Sequence, residues 1–585
     1  MKLRIIVLAA LGAIGGCARP TPQAAPLSDP QRHWVDSTLG SLSLRERVGQ
    51  MVMVWVLGDY TSTGDSSFAE VRRWIEQDHI GGVSMSLGTP IEVAAKVNAM
   101  QRISRVPLIA SADLEPGLGR LEGGVFSHYL LDAGSATVFP SNMAIAATGR
   151  EEDAYDVARA IGQEARAVGI QIDFAPVVDV NNNPNNPVIN TRSFGENPAK
   201  VARLAALFVK GLQETGTIAT AKHFPGHGDT DVDSHVGLPV VGATMSRLDS
   251  VELVPFRAAI QAGAGLVMTA HIALPAVAGD SATPATLSPR IITGLLRDSL
   301  GFGGTTITDA MTMEGVGKGY TTEQSSVLAV QAGADILLKP SDPTRAIDAV
   351  VAAVERGEIS RARIDSAVRH VLMLKARVGV NRRRFADLDA LRDVVGSPAH
   401  RALAADIAQR AVTLLRDRDS IVPTRAGHAL IVQYAPETEL KAGRVFAPTL
   451  LAALPGSRVA KISPSVSRQQ LDSITAQGQG IDRIIVAAYV RRIEGEGRFA
   501  MSQQVATWID SLAKQSAGPK LEVVAFGNPY LIRQFPNVGT YLATYGVSDD
   551  LERAAARALL GAAPISGRAP ISLPGFFKAG DGLAR

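Results

Sequence analysis

One cysteine, Cys17, occurs in 585 residues, so no internal disulfide braces this chain. There is no HExxH pattern, and the lone thiol lies far from the histidines, which leaves no recognisable zinc set. No glycine-rich phosphate fingerprint follows the first strand-like run, which disfavours an open dinucleotide-binding sheet. An excess of one charge is missing too. The 59 basic residues nearly balance the 56 acidic ones, and no long basic run alternates with aromatics, so nucleic acid is not an expected partner. Beyond the N-terminus no stretch reads as a transmembrane helix. No metal or organic cofactor is implied.

What is present is apolar enough to fold, with 46% hydrophobic and 20% charged residues over a length that suits two packed cores. The N-terminus carries Lys2 and Arg4, an apolar stretch from Ile5 to Ile14, and Gly15-Gly16-Cys17. Such a pattern is a secretory signal rather than a spanning helix. Its cysteine resembles that of a bacterial lipoprotein box, which implies lipidation at Cys17 and a signal peptide over 1–17. The alternative is an ordinary cleaved signal with an incidental thiol. Ala18 after the cysteine implies, by the same resemblance, the outer membrane and a periplasmic location. Residues 18–35, rich in Pro and Ala at their start, read as a tether. A monomer is expected.

From about Ser41 to Val380 short apolar runs alternate with helical patterns, the signal of repeated βα units. Eight runs can be counted: Met51 to Leu57, Ile80 to Ser86, Pro107 to Ala112, Ile170 to Val177, Thr217 to Ala221, Gly265 to Ala270, Thr305 to Thr308 and Asp335 to Leu338. Polar residues follow several of them, including Asp113, Asp179, Lys222, His223, His271, Asp309 and Lys339. The expected fold is therefore α/β, a (β/α)₈ TIM barrel over 36–385, whose strand ends converge on one face. A helical linker is expected over 386–424, with an amphipathic segment from His400 to Leu415. A second α/β sandwich domain over 425–585 has strand-like runs at Ala429 to Gln433, Arg483 to Ala488 and Leu521 to Phe526.

The densest chemistry lies in Lys222-His223-Phe224-Pro225-Gly226-His227-Gly228-Asp229-Thr230-Asp231-Val232-Asp233-Ser234-His235, where an apolar run delivers titratable groups to its rim. The three aspartates imitate the start of a calcium loop, but Ser234 and Val240 stand where that loop needs Gly and Glu. Read on through Gly237-Leu238-Pro239, the stretch resembles the signature of β-N-acetylhexosaminidases of glycoside hydrolase family 3. Two further segments resemble that family in the same order: Asn186 to Pro198, and Thr308-Asp309-Ala310-Met311. Gly527-Asn528-Pro529-Tyr530 and Gly567 to Pro574 resemble motifs of the second domain of its two-domain members.

The resemblance implies hydrolysis of a β-linked N-acetylglucosamine with retention, Asp309 as nucleophile and His235 as acid/base. Asp309 stands at a strand end open to the shared face, though Asp also caps helices. If the backbone at 233–235 is extended, Asp233 and His235 project from one side, so Asp233 can orient the imidazole. Lys222, His223, Arg192 and Asp113 are substrate ligands by the same resemblance; Arg192 could instead pin its loop, and His235 could merely brace its own. His227 could steady the turn, and His271 could line the pocket or simply pack.

One segment departs from the family. After the third strand the family usually reads Asp-x-Glu-Gly-Gly-Arg-Val, whereas this chain has Asp113-Leu114-Glu115-Pro116-Gly117-Leu118-Gly119-Arg120. Asp113 is kept, but the arginine is displaced, so no role is carried over to Arg120. Three alternatives remain beside the hydrolase: a phosphorylase using the same site, a β-glucosidase, and an inactive saccharide-binding lipoprotein that keeps the barrel.

Overall fold

Eight short parallel strands form the first sheet: β1 (Val52–Leu57), β2 (Gly82–Ser86), β3 (Ile109–Ala112), β4 (Ile172–Asp173), β5 (Ile218–Phe224), β6 (Leu266–Thr269), β7 (Thr305–Ile307) and β8 (Leu337–Leu338). Their order is β7-β6-β5-β4-β3-β2-β1-β8, and a parallel bridge between Ile307 and Ile336 brings the two ends together. Each of the eight expected runs supplies one strand of this TIM-type barrel. The computed structural model describes residues 26–62, 64–124, 135–424, 427–491, 499–515 and 518–585. Cys17 and the signal segment lie outside the described residues.

Inward-facing Met53, Ile109, Phe174, Ile218, Met268 and Leu338 fill the barrel, and Val371 and Leu374 of the helix Arg361–Val378 close its floor. The same helix buries Lys375, whose Nζ donates to Gln50 Oε1 at 2.6 Å. Burial pulls this ammonium down to about 7, so between about pH 7 and its ordinary range the unfolded chain binds the extra proton. Folding stability therefore rises with pH across that window. Lys375→Met removes the buried charge and should be more stable than the parent below pH 7, with its lead shrinking as pH rises to 9. Thermal unfolding at both ends of the window measures this, and a lead independent of pH would contradict it.

The second sheet has the order β11-β10-β12-β13-β14-β9, from β9 (Thr413–Asp417), β10 (Ala429–Tyr434), β11 (Arg458–Ile462), β12 (Arg483–Val490), β13 (Lys520–Gly527) and β14 (Thr540–Ala543). Only β9 runs antiparallel, against β14. Along β10, Leu430 and Val432 enter one apolar cluster while Ala429 and Ile431 enter another, so both faces are covered and the domain is an α/β/α sandwich.

Two boundaries differ from expectation. The tether was expected to reach residue 35, but a helix runs over Asp29–Ser41 because Pro30 suits its first turn and Val35 and Leu39 find an apolar site to bury against. The linker helix was expected to continue to Leu415, but it ends at Ala411, and Thr413 begins β9, which completes the second sheet. Tertiary pairing with β14 overrides the helical pattern there.

The motifs around Tyr530 and Ser572 lie at the seam between the domains. Asn181 Nδ2 donates to Tyr530 Oη at 2.9 Å, and Ser572 gives both its N–H and its hydroxyl to the Glu196 carboxylate at 2.6 Å. They grip the two ends of the loop that carries Arg192.

Candidate active site

At the carboxyl ends of the barrel strands lies a cavity of about 860 Å³ lined, among others, by Asp113, Glu115, Arg192, Lys222, His223, His235 and Asp309. Parallel strands of a closed ring bring these distant residues to one rim.

The side over β3 to β5 is a compact ionic lattice. Lys222, delivered by β5 and fully buried, donates to Asp113 Oδ1 at 2.7 Å and makes an ion pair with Glu115 Oε2 at 3.3 Å. Arg192 forks onto Glu115, the longer bond being 3.2 Å, and so turns a planar cation toward the cavity from its clamped loop. Burial alone would raise Asp113, yet Lys222 and Arg120 outweigh it and bring the carboxyl down to about 2. Glu115 is held well below the carboxylate range, where Arg192 and Lys222 overcome the burial penalty. Sequence reading gave Glu115 no role. Its signal was its place two residues after Asp113 at the same strand end. Because this carboxylate contacts both Arg192 and Lys222 in a largely buried setting, Glu115→Gln should cost about 3–5 kcal/mol of stability. A denaturant titration measures it, and a loss below about 1 kcal/mol would contradict this account.

His223 is oriented from behind. Its Nδ1 donates to Asp179 Oδ2 at 2.7 Å, and Asp179 also accepts the backbone N–H groups of His223 and His227. Burial raises Asp179 to about 6, and burial followed by the nearby Arg192 lowers His223. His223 is therefore neutral, with Nε2 as an acceptor 3.4 Å from Arg192 Nη2. Lys222 thus supplies a donor and His223 an acceptor at the end of β5. Asp179 was read only as a strand-end acid.

Asp309 follows β7 and lines the cavity. Its Oδ1 accepts the Ala310 N–H at 2.7 Å, and the next helix, Glu314–Gly317, has Met313 at its N-cap, so Asp309 caps no helix. Burial acts to raise it, but the His223 and His271 imidazoles and the Ala310 N–H outweigh that, leaving Asp309 below its ordinary value and ionised at neutral pH.

Facing the same cavity, His235 sits with Nδ1 2.7 Å from buried Asp233 Oδ1. The dyad forms, but not through extended backbone. Residues 233–237 make a turn in which Asp233 O accepts the Val236 and Gly237 N–H groups while its Oδ1 accepts the His235 N–H. That turn docks on the loop after β7: Gly315 N donates to Ser234 O at 3.1 Å and Lys318 Nζ to Val236 O at 2.9 Å. His227 bonds Thr230 and Ser234 inside the loop, away from the cavity lining. His271 packs between Thr286 and Ala310 O and does not line the cavity either.

Arg120 differs from expectation. Although displaced in sequence, its Nη1 donates to Asp113 O at 3.1 Å and it lines the cavity. The loop can double back because Gly117 has φ +105, where an added Cβ would lie 2.6 Å from Thr137 O. Trp55, Lys339 and Arg491 also line the cavity, the last from the second domain, and sequence reading assigned a role to none of them.

Comparison with known proteins agrees with this fold. Residues 43–374 match the Glycosyl hydrolase family 3 N terminal domain. The chain is 31% identical over 576 residues to a beta-N-acetylglucosaminidase/beta-glucosidase of Cellulomonas fimi, covering 94% of this chain and 97% of that one. It is 34% identical over 400 residues to beta-hexosaminidase A of Pseudoalteromonas piscicida, 63% of this chain and 65% of that one. Among solved structures, a glycoside hydrolase family 3 beta-N-acetylglucosaminidase from Paenibacillus sp. str. FPU-7 superposes with a TM-score of 0.78 at 34% identity, covering 91% of this chain and 99% of that one.

Proposed function

The chain belongs to glycosyl hydrolase family 3 and is a glycoside hydrolase, and on that premise we propose that it is a retaining exo-β-N-acetylglucosaminidase. Its substrates are peptidoglycan fragments or chitooligosaccharides with a terminal β-linked N-acetylglucosamine. The observation that carries this reading is one cavity shared by an ionised carboxylate, Asp309, and a carboxylate-oriented imidazole, His235. The proposed Asp309 attack on the anomeric carbon forms a glycosyl-aspartate while His235 Nε2 gives its proton to the departing oxygen. The same nitrogen then takes a proton from the water that releases the sugar. Asp113, Lys222, Arg192 and His223 offer the acceptors and donors that ring hydroxyls require, and their ion pairs fix them before substrate arrives.

The test is product analysis by mass and NMR on chitobiose and on muropeptides, in phosphate and in phosphate-free buffer. Free β-N-acetylglucosamine as the first product in both supports hydrolysis. Sugar 1-phosphate as the main product would replace it with phosphorolysis, and binding without turnover would leave a saccharide-binding protein.

The same proposal places the protein at the bacterial cell envelope, facing the periplasm and anchored through lipidated Cys17. The apolar stretch ending in Gly15-Gly16-Cys17 supports it. Cys17→Ala should release the protein from the membrane fraction, and an unchanged distribution would end the anchor proposal.

A further inference from the structure

The ionic lattice described above occupies the arc of β3 to β5, yet the cavity continues to the opposite arc, where β1 and β8 pair. Trp55 stands there on the inward face of β1, two residues beyond the core residue Met53. It keeps 39% of its surface exposed in a concave site. A large aromatic left open inside a cavity is a surface awaiting an apolar face. Lys339, just past β8, holds its ammonium 4.4 Å from the centre of the Trp55 ring. Among the described residues the ammonium forms no ion pair, and this cation–π contact is what holds it. Lys339 also has φ +49, an uncommon conformation for a residue with a side chain, which persists where the surroundings enforce it. Its N–H donates to Met53 O at 2.8 Å, tying the strained residue to the barrel seam.

We propose that Trp55 and Lys339 form a leaving-group subsite for a sugar that carries a carboxylate, a claim that rests on the glycosidase reading above. A pyranose held at one end by the Asp113 lattice and presenting its anomeric carbon to Asp309 sends its leaving oxygen away from β3 to β5. The next residue then meets the β8–β1 arc. There the C–H face of the leaving sugar lies on the indole, and its anionic substituent meets the Lys339 ammonium. Arg120 and Arg491 line the same cavity and add positive field at the mouth, each within its own ion-pair set. A neutral leaving sugar gains only the stacking contact, so the subsite favours a leaving sugar with a free carboxylate over a neutral one.

The test compares three disaccharides with non-reducing β-N-acetylglucosamine. In the first the leaving sugar bears a 3-O-lactyl carboxylate, in the second that carboxylate is a neutral methylamide, and the third is chitobiose. The expected ratio of kcat/KM for carboxylate over amide is about five- to tenfold in the parent at low salt. It should approach one in Lys339→Met and return in Lys339→Arg. Trp55→Ala should raise KM for all three by about tenfold, and Trp55→Phe should restore part of it. A parent ratio near one, or a ratio preserved in Lys339→Met, overturns the subsite. If the parent cleaves none of the three, the glycosidase reading itself falls, which is a separate outcome.

Discussion

Asp309→Ala should lower kcat/KM by about 10⁴-fold or more, with KM little changed, because the lost bond is made only on the way to the covalent intermediate. The expectation follows from position and charge. Asp309 opens into the cavity from the end of β7, keeps one oxygen on the Ala310 N–H, and lies below its ordinary range. It is therefore a carboxylate across the whole span from pH 5 to 8, and an acid limb in that span belongs to another group. The cleanest signature is chemical rescue. With the side chain shortened, azide can enter from the face Asp309 occupied, and turnover of an activated aryl glycoside should return with an α-glycosyl azide as product. Retained activity in the alanine variant, or rescue giving the β-azide, would remove Asp309 from the nucleophile's role. Protein unfolding midpoints guard the comparison, since Asp309 neither caps a helix nor forms an ion pair among the described residues.

How far the sequence could carry this reading depended on the kind of signal. Barrel strands are buried on both faces, so even β4 and β8, two residues each, stood out as apolar runs closed by Asp or Lys. Edge strands of the second domain lack that signal. β11 is Arg-Val-Ala-Lys-Ile and mostly exposed, while β9 follows a helix after one residue and carries on its apolar pattern. At the site, residues contiguous with a motif were legible, as with Asp233 and His235, although the geometry joining them was a turn and not extended chain. Partners that meet only through the fold were not. Glu115 gains its meaning from Arg192, 77 residues on, Asp179 from His223, 44 residues on, and Arg491 from a domain that sequence alone could not orient. Arg120 failed for the converse reason: a motif alignment treats displacement as loss, whereas a chain that bends at Gly117 returns the guanidinium to Asp113.

His235→Ala should cost about 10²- to 10⁴-fold on substrates with sugar leaving groups, the range for removing a positioned proton donor. The size of the loss must depend on the leaving group. A dinitrophenol departs without a proton, so bond cleavage on that glycoside should be nearly normal in a single turnover, and the glycosyl-enzyme should accumulate because no base remains to activate water. An initial burst of dinitrophenol equal to the enzyme concentration measures this directly. Asp233→Asn separates orientation from proton transfer. Its amide can still meet the ring nitrogen but no longer supports a developing positive charge there, and it leaves the turn's backbone bonds in place. That variant should lie between the parent and His235→Ala, and the double variant should be no worse than His235→Ala alone, since the amide can still accept the His235 N–H and the lost charge reaches the reaction through the ring. Additive losses would mean that the two side chains serve separate steps, and an equal loss on sugar and dinitrophenyl leaving groups would mean that His235 braces its loop instead of delivering a proton.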